Sequence, residues 1–119
     1  MSESTRQRSI RDRLEPEPDL ELFVNRMGSV RKRGHLIQFG LRSKRHGTGS
    51  NDLIGILGPH GRWFVIETKD PDGKTTKDRA AKQAAFRATV RRLGGFAAVV
   101  HDEAEALQAL ERARNGESR

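Results

Sequence analysis

The segment Gly49-Ser50-Asn51-Asp52-Leu53-Ile54-Gly55-Ile56-Leu57-Gly58-Pro59-His60-Gly61-Arg62-Trp63-Phe64-Val65-Ile66-Glu67-Thr68-Lys69 holds two apolar runs of strand length around a Gly-Pro-His-Gly turn. That pattern predicts a β-hairpin. Asp52 opens the first run, and Glu67 and Lys69 close the second. In an antiparallel pair the start of one strand lies beside the end of the other, so the fold is expected to bring Asp52 to Glu67 and Lys69. Two carboxylates about 4 Å apart repel by roughly 4 kcal/mol at an effective dielectric near 20. A divalent cation and the lysine would offset that repulsion, which makes this corner a candidate metal site. Strand alternation places Glu67 and Lys69 on the face of Trp63 and Val65, with Thr68 opposite.

The rest of the chain supplies context. Its 119 residues suit one domain, residues 1–119. A formal charge of +7 and a pI near 10.8 point to an anionic partner, nucleic acid or a membrane surface. No apolar run is long enough to span a bilayer and no signal-peptide core opens the chain, so a protein that is not secreted and has no membrane partner is expected. The sequence has no cysteine, which excludes disulfides and thiolate zinc sites but not oxygen-ligated metals. With one Trp, five Phe and no Tyr, phosphate contacts are a better expectation than base stacking.

Residues 2–14 read as a helix whose only sizeable apolar residues are Ile10 and Leu14, which predicts weak docking. Glu15-Pro16-Glu17-Pro18 ends it, so 1–18 forms a helix and a Pro/Glu linker. Leu20 to Asn25 alternates as a strand, Gly28 marks a turn, Arg31-Lys32-Arg33-Gly34 reads as a basic loop, and His35 to Phe39 as a second strand. Arg42, Lys44 and Arg45 lie among glycines in the connection that leads to Asp52, and such loops approach phosphates closely. After the turn at Asp70-Pro71-Asp72-Gly73, Thr75 or Thr76 caps a helix running to about Leu93, with Phe86, Val90 and Leu93 as its apolar stripe and Gly94-Gly95 as its stop. Gln83 shares that side, flanked by Arg79 and Arg87 at four residues either way. Phe96 to Val100 is a buried strand. Asp102 caps a last helix ending near Arg114, and 115–119 is expected to be a disordered tail. The order α-β-β-β-β-α-β-α, with a strand-helix-strand crossover, implies an α/β fold: a mixed central sheet of about five strands flanked by helices.

Glu-x-Lys alone is weak, since a chain this long holds roughly 0.4 such triplets by chance at average usage; its setting carries the weight. Asp52, the Glu67-Thr68-Lys69 triplet and Gln83 in the next helix resemble the PD-(D/E)XK nuclease superfamily and, more narrowly, its VRR-NUC branch. Glu3, Gln7, Ile10 and Leu14 look like that branch's opening helix, Asn25 and Gly28 like its Asn-x-x-Gly segment, and Gly40 with Gly49 to Gly55 like its glycine-rich approach to the metal aspartate. Gly61-Arg62 through Lys69 and Gly94-Gly95 also fit, while Asn51 stands where proline is usual. The resemblance implies a PD-(D/E)XK-like core and a metal-dependent endonuclease hydrolysing phosphodiester bonds in branched DNA, a Holliday junction or a flap. It implies Mg²⁺ or Mn²⁺ held by Asp52, Glu67 and the Thr68 backbone carbonyl, with Glu3 as an added ligand. It further implies catalytic roles for Asp52, Glu67, Lys69 and Gln83, a homodimer, and the cytoplasm of a bacterial or phage-infected cell. Arg31, Lys32, Arg33, Arg42, Lys44 and Arg45 are the candidates for gripping the DNA backbone. The alternatives are a basic nucleic-acid-binding module without catalysis and an RNA-directed nuclease.

Overall fold

The computed structural model describes residues 3–24, 28–39, 52–69 and 76–119, and for Glu3, Ser4, Val24, Gly28, Ser29, Gln38 and Phe39 the backbone alone. Helix α1 (Glu3–Leu14) precedes strands β1 (Leu20–Val24), β2 (Gly28–Lys32), β3 (His35–Phe39), β4 (Leu53–Leu57) and β5 (Arg62–Thr68). Helix α2 (Lys77–Arg92), strand β6 (Phe96–Val100) and helix α3 (Glu103–Arg114) follow. The fold is mixed α/β. Its main sheet has the order β1-β4-β5-β6, antiparallel except for the β5–β6 pair that α2 connects.

The expected sheet of about five strands is therefore four, and a further pair, β2 and β3, forms a separate two-stranded ribbon. The basic loop expected at Arg31-Lys32-Arg33-Gly34 is instead the end of β2 and a two-residue turn. Arg33 and Gly34 have φ of 54° and 79°, the left-handed pair that a tight hairpin turn of this twist requires. Because residues 30–37 of the ribbon are exposed whichever face they occupy, this part of β2 needs no apolar alternation, and a run of cations could hide a strand. The ribbon is inserted between Val24 and Leu53, which are register partners on β1 and β4.

Two apolar layers form because β4, β5 and β6 bury residues on both faces. On one face Phe64 and Ile66 of β5 join Leu53 and Leu57 of β4 and Phe96, Ala98 and Val100 of β6 beneath α1 and α3. Ile10 and Leu14 are completely buried there. Weak docking of α1 was the expectation, yet it is also tied by the Arg6 guanidinium donating to the His101 carbonyl and by the Ser9 hydroxyl donating to Glu103. On the other face Val65 packs with Ile54, Ala97, Val90 and Phe86 under α2. Leu93, expected in that stripe, is 72% exposed, because the helix has ended and its backbone turns away at Gly94 (φ 100°). Phe23, Ile56 and Trp63 are also substantially exposed on this face, where α2 covers β5 and β6.

The last five residues are held, in contrast to the disordered tail expected. Ser118 accepts from the Ala97 amide at the open edge of β6, and Arg62 donates to Gly94 O (2.9 Å), Ala113 O (2.8 Å) and Glu117 O (2.5 Å). A Cβ at Gly95 would lie 2.6 Å from Val90 Cγ1 and 3.1 Å from Trp63 Cβ. Gly95→Ala is accordingly expected to destabilise the protein by about 1–3 kcal/mol, as overpacking against a stiff valine does. Chemical denaturation checks this, and an unchanged midpoint would contradict the close approach. No helix among the described residues is long and apolar enough to cross a membrane.

Candidate metal centre

The β4–β5 register, with Leu53 opposite Ile66, brings the residue before β4 to the end of β5. There the Asp52 amide donates to Glu67 Oε2 at 3.2 Å. In return, the Thr68 amide (3.2 Å) and Thr68 Oγ1 (2.9 Å) both donate to Asp52 Oδ2. Asp52 is thus locked to β5 by main-chain and hydroxyl donors, at the point where a glycine-rich connection enters the sheet. Thr68 is fully buried and Glu67 is 3% exposed. A carboxyl so deeply placed favours its protonated form. Burial first, and the Asp52 charge second, push the Glu67 carboxyl from its ordinary 4.5 up to about 8; Lys69, the bond from the Asp52 amide and Arg87 oppose the rise.

Helix α2 completes the corner. Thr76 caps it, its hydroxyl accepting from the Arg79 amide, and the helix runs antiparallel to β5 with Gln83 and Val90 buried beneath it. Lys69 Nζ donates to Gln83 Oε1 at 3.4 Å. Gln83, 4% exposed, therefore directs the ammonium of Lys69, which lies on the same strand face as Glu67.

Asp52, Glu67, Thr68, Lys69 and Gln83 are brought together at one end of the sheet. Arg31, Lys32 and Arg33 are exposed on the ribbon and its turn. The side chain of Glu3, and all of Arg42, Lys44 and Arg45, lie outside the described residues. Sequence spacing marked Arg87 only as a flank of Gln83 and gave it no part in the site. In the fold it lies one helical turn beyond Gln83 on the buried side and interacts electrostatically with Glu67, while burial lowers its pKa. The signal available was its i,i+4 spacing from Gln83.

The donor set suits a hard cation. Two carboxylates meet here, and with the Thr68 carbonyl they would offer oxygen alone. Among the described residues no group of three or more His, Cys, Asp or Glu side chains converges. Mg²⁺ commonly takes one or two carboxylates and keeps water or substrate phosphate on its other positions. An apolar cavity of about 450 Å³ lined by Trp63, Phe86, Val90 and Leu93 lies toward the other end of α2 and includes none of the site's charged residues. The sequence matches no protein-family model and no curated protein. The likeness to VRR-NUC nucleases rests on the motif residues themselves.

Proposed function

We propose that the protein is a metal-dependent DNA endonuclease of the VRR-NUC type, selective for branched structures such as Holliday junctions or flaps and acting as a homodimer. The observation that carries this reading is the half-buried Asp52 beside the buried Glu67, next to a lysine oriented by a buried glutamine. Two adjacent carboxylates repel one another, and a bound cation would offset that cost. Asp52, Glu67 and the Thr68 carbonyl would hold Mg²⁺ or Mn²⁺, which when bound polarises a phosphate and lowers the pKa of an attacking water. Lys69 would orient that water and stabilise the negative charge growing on the phosphate oxygens, and Gln83 would keep the ammonium pointed there. The exposed Arg31, Lys32 and Arg33 of the separate ribbon would take the DNA backbone, reading charge and shape. The exposed apolar strip of Phe23, Ile56, Trp63 and Leu93 supports association of two copies, which would present two sites across a two-fold axis.

The same exposed cations favour a second reading, a nucleic-acid-binding module without catalysis. Junction, flap and linear DNA and an RNA hairpin, each incubated with Mg²⁺, Mn²⁺ or EDTA, separate the readings. Cutting of branched DNA that EDTA abolishes is expected. Binding without cutting under every metal would leave the module, and cutting confined to the RNA would reassign the substrate. Lys69→Ala is expected to slow cleavage by about 10²–10³ while leaving DNA affinity within a few-fold. Cleavage at the parent rate would remove the lysine from the mechanism.

A further inference from the structure

Strand β6 is the outer strand of the main sheet on the side away from β1. Alternate residues of a strand turn their amide and carbonyl to the same side. The Lys69 amide donates to the Val100 carbonyl at 3.0 Å, so Val100 and Ala98 bond toward β5, while Ala97, Val99 and His101 present their groups outward. Both ends of that outward row are occupied from within the chain. The Ala97 amide donates to the Ser118 carbonyl at 3.0 Å, and the Ala97 carbonyl accepts from Arg91 Nε and Nη2 at 3.0 and 2.7 Å. The His101 amide donates to Glu105 Oε2 at 3.3 Å, and the His101 carbonyl accepts from Arg6 Nη1 at 2.8 Å. Val99 lies between the two.

Of these guards, Ser118 alone belongs to a segment that folds back onto the edge from outside the helices. Helix α3 ends in a reversal that needs glycine. Gly116 has φ 87°, its amide donates to the Ala113 carbonyl, and the Glu117 amide donates to the Arg112 carbonyl, both at 3.1 Å. These are the paired bonds that close a helix through a left-handed residue. Past the reversal the segment is held by its backbone carbonyls, Glu117 O accepting from Arg62 Nη2 at 2.5 Å and Arg119 O from Arg112 Nε at 3.3 Å. Residues 115–119 are all exposed, so the segment opens at a lower cost than the sheet beneath it. That sheet edge reads Phe96-Ala97-Ala98-Val99-Val100, an uncharged run without proline, of the kind whose identical copies pair edge to edge. We infer that residues 115–119 are a latch on the β6 edge. Closed, the latch keeps a second copy of the chain from adding its own β6 to the sheet; opened, it lets two copies pair along that edge. The device is separate from the apolar strip of Phe23, Ile56 and Trp63, and it operates alike in a nuclease and in a binding module.

Two point variants of the whole chain open the latch at its turn. Gly116→Val puts a β-branched residue at φ 87°, and Glu117→Pro removes the amide that bonds to Arg112. Hydrogen exchange followed by NMR is expected to show the Ala97 amide exchanging at least about tenfold faster in both variants than in the parent, with the Ala98 amide, bonded within the sheet, unchanged. Sedimentation is expected to show both variants at roughly twice the parent's own mass. Adding Val99→Pro, which removes an outward amide from an edge strand, is expected to restore the parent's mass. Association that survives this proline lies elsewhere on the molecule and overturns the inference. Variants of parental mass, or an Ala97 amide that exchanges no faster in them, overturn it as well. In the parent alone the Ala97 amide is expected to exchange faster than the Ala98 amide, since the latch opens without the sheet. Equal rates for the two amides overturn the inference with no variant required.

Discussion

An Asp52→Asn protein is expected to lose at least about a thousandfold in cleavage rate under Mg²⁺ while keeping its fold. The structural half follows from what Asp52 does in the hairpin: its Oδ2 accepts from the amide and the hydroxyl of Thr68, and an asparagine carbonyl accepts from the same two donors. The chemical half follows from charge. A neutral amide is a much poorer ligand for a hard cation than a carboxylate, and loss of the metal removes both polarisation of the phosphate and activation of the water. Single-turnover cleavage of a labelled junction, beside a thermal melt of the same preparation, reads both halves. A variant that melts like the parent and cuts within about tenfold of it would exclude Asp52 as a metal ligand.

Glu67→Gln is expected to stabilise the metal-free protein, and most strongly at alkaline pH. Glu67 has a folded-state pKa of about 8, above its ordinary 4.5, with burial as the first cause and Asp52 as the second. Between these values the folded protein binds the proton that the unfolded chain releases, so stability falls as pH rises from about 4.5 to about 8 and then levels off. At roughly 1.4 kcal/mol per pH unit the full penalty is about 5 kcal/mol. Glutamine has no proton to lose and can still accept from the Asp52 amide, so the variant escapes the penalty. Loss of attraction to Lys69 and Arg87 reduces the gain. Urea denaturation at pH 5 and pH 9, in EDTA, should show the variant close to the parent at the lower pH and several kcal/mol more stable at the higher. Mg²⁺ at pH 9 should narrow the gap by stabilising the parent alone, since a ligand that binds only the folded state adds to its stability. A variant less stable than the parent at pH 9 would mean that Glu67 is a structural ion-pair partner, not a carboxylate held in readiness.

These two experiments probe the part of the protein most legible in its sequence. A hairpin is a local object. Two apolar runs, a Gly-Pro-His-Gly turn and charges at the open end require Asp52 and Glu67 to meet, whatever packs around them. The 3.6-residue period likewise puts Gln83 on the buried side of α2 with Val90, because periodicity is imposed by the core the helix faces. The ribbon was less legible: Gly28, Arg31, Lys32 and Arg33 look like turn and loop when no face has to be apolar. Leu93 fitted the apolar stripe by spacing, but it lies one residue past the helix, where the chain turns at Gly94. The C-terminal residues carry no pattern, since their bonds are made by backbone carbonyls to Ala97 and Arg62, groups that composition does not distinguish.

Sequence alone determined the hairpin, the capped helices and the meeting of two carboxylates with a lysine, because each depends on neighbours in the chain or on a repeat within one element. Only the tertiary structure decided that β2 and β3 stand apart from the sheet and that α1 is fully seated through Ile10 and Leu14. It also decided that Arg87 lies within electrostatic reach of Glu67. These depend on which strand edges pair and on the register of α2 against β5, quantities set by packing between residues far apart in sequence.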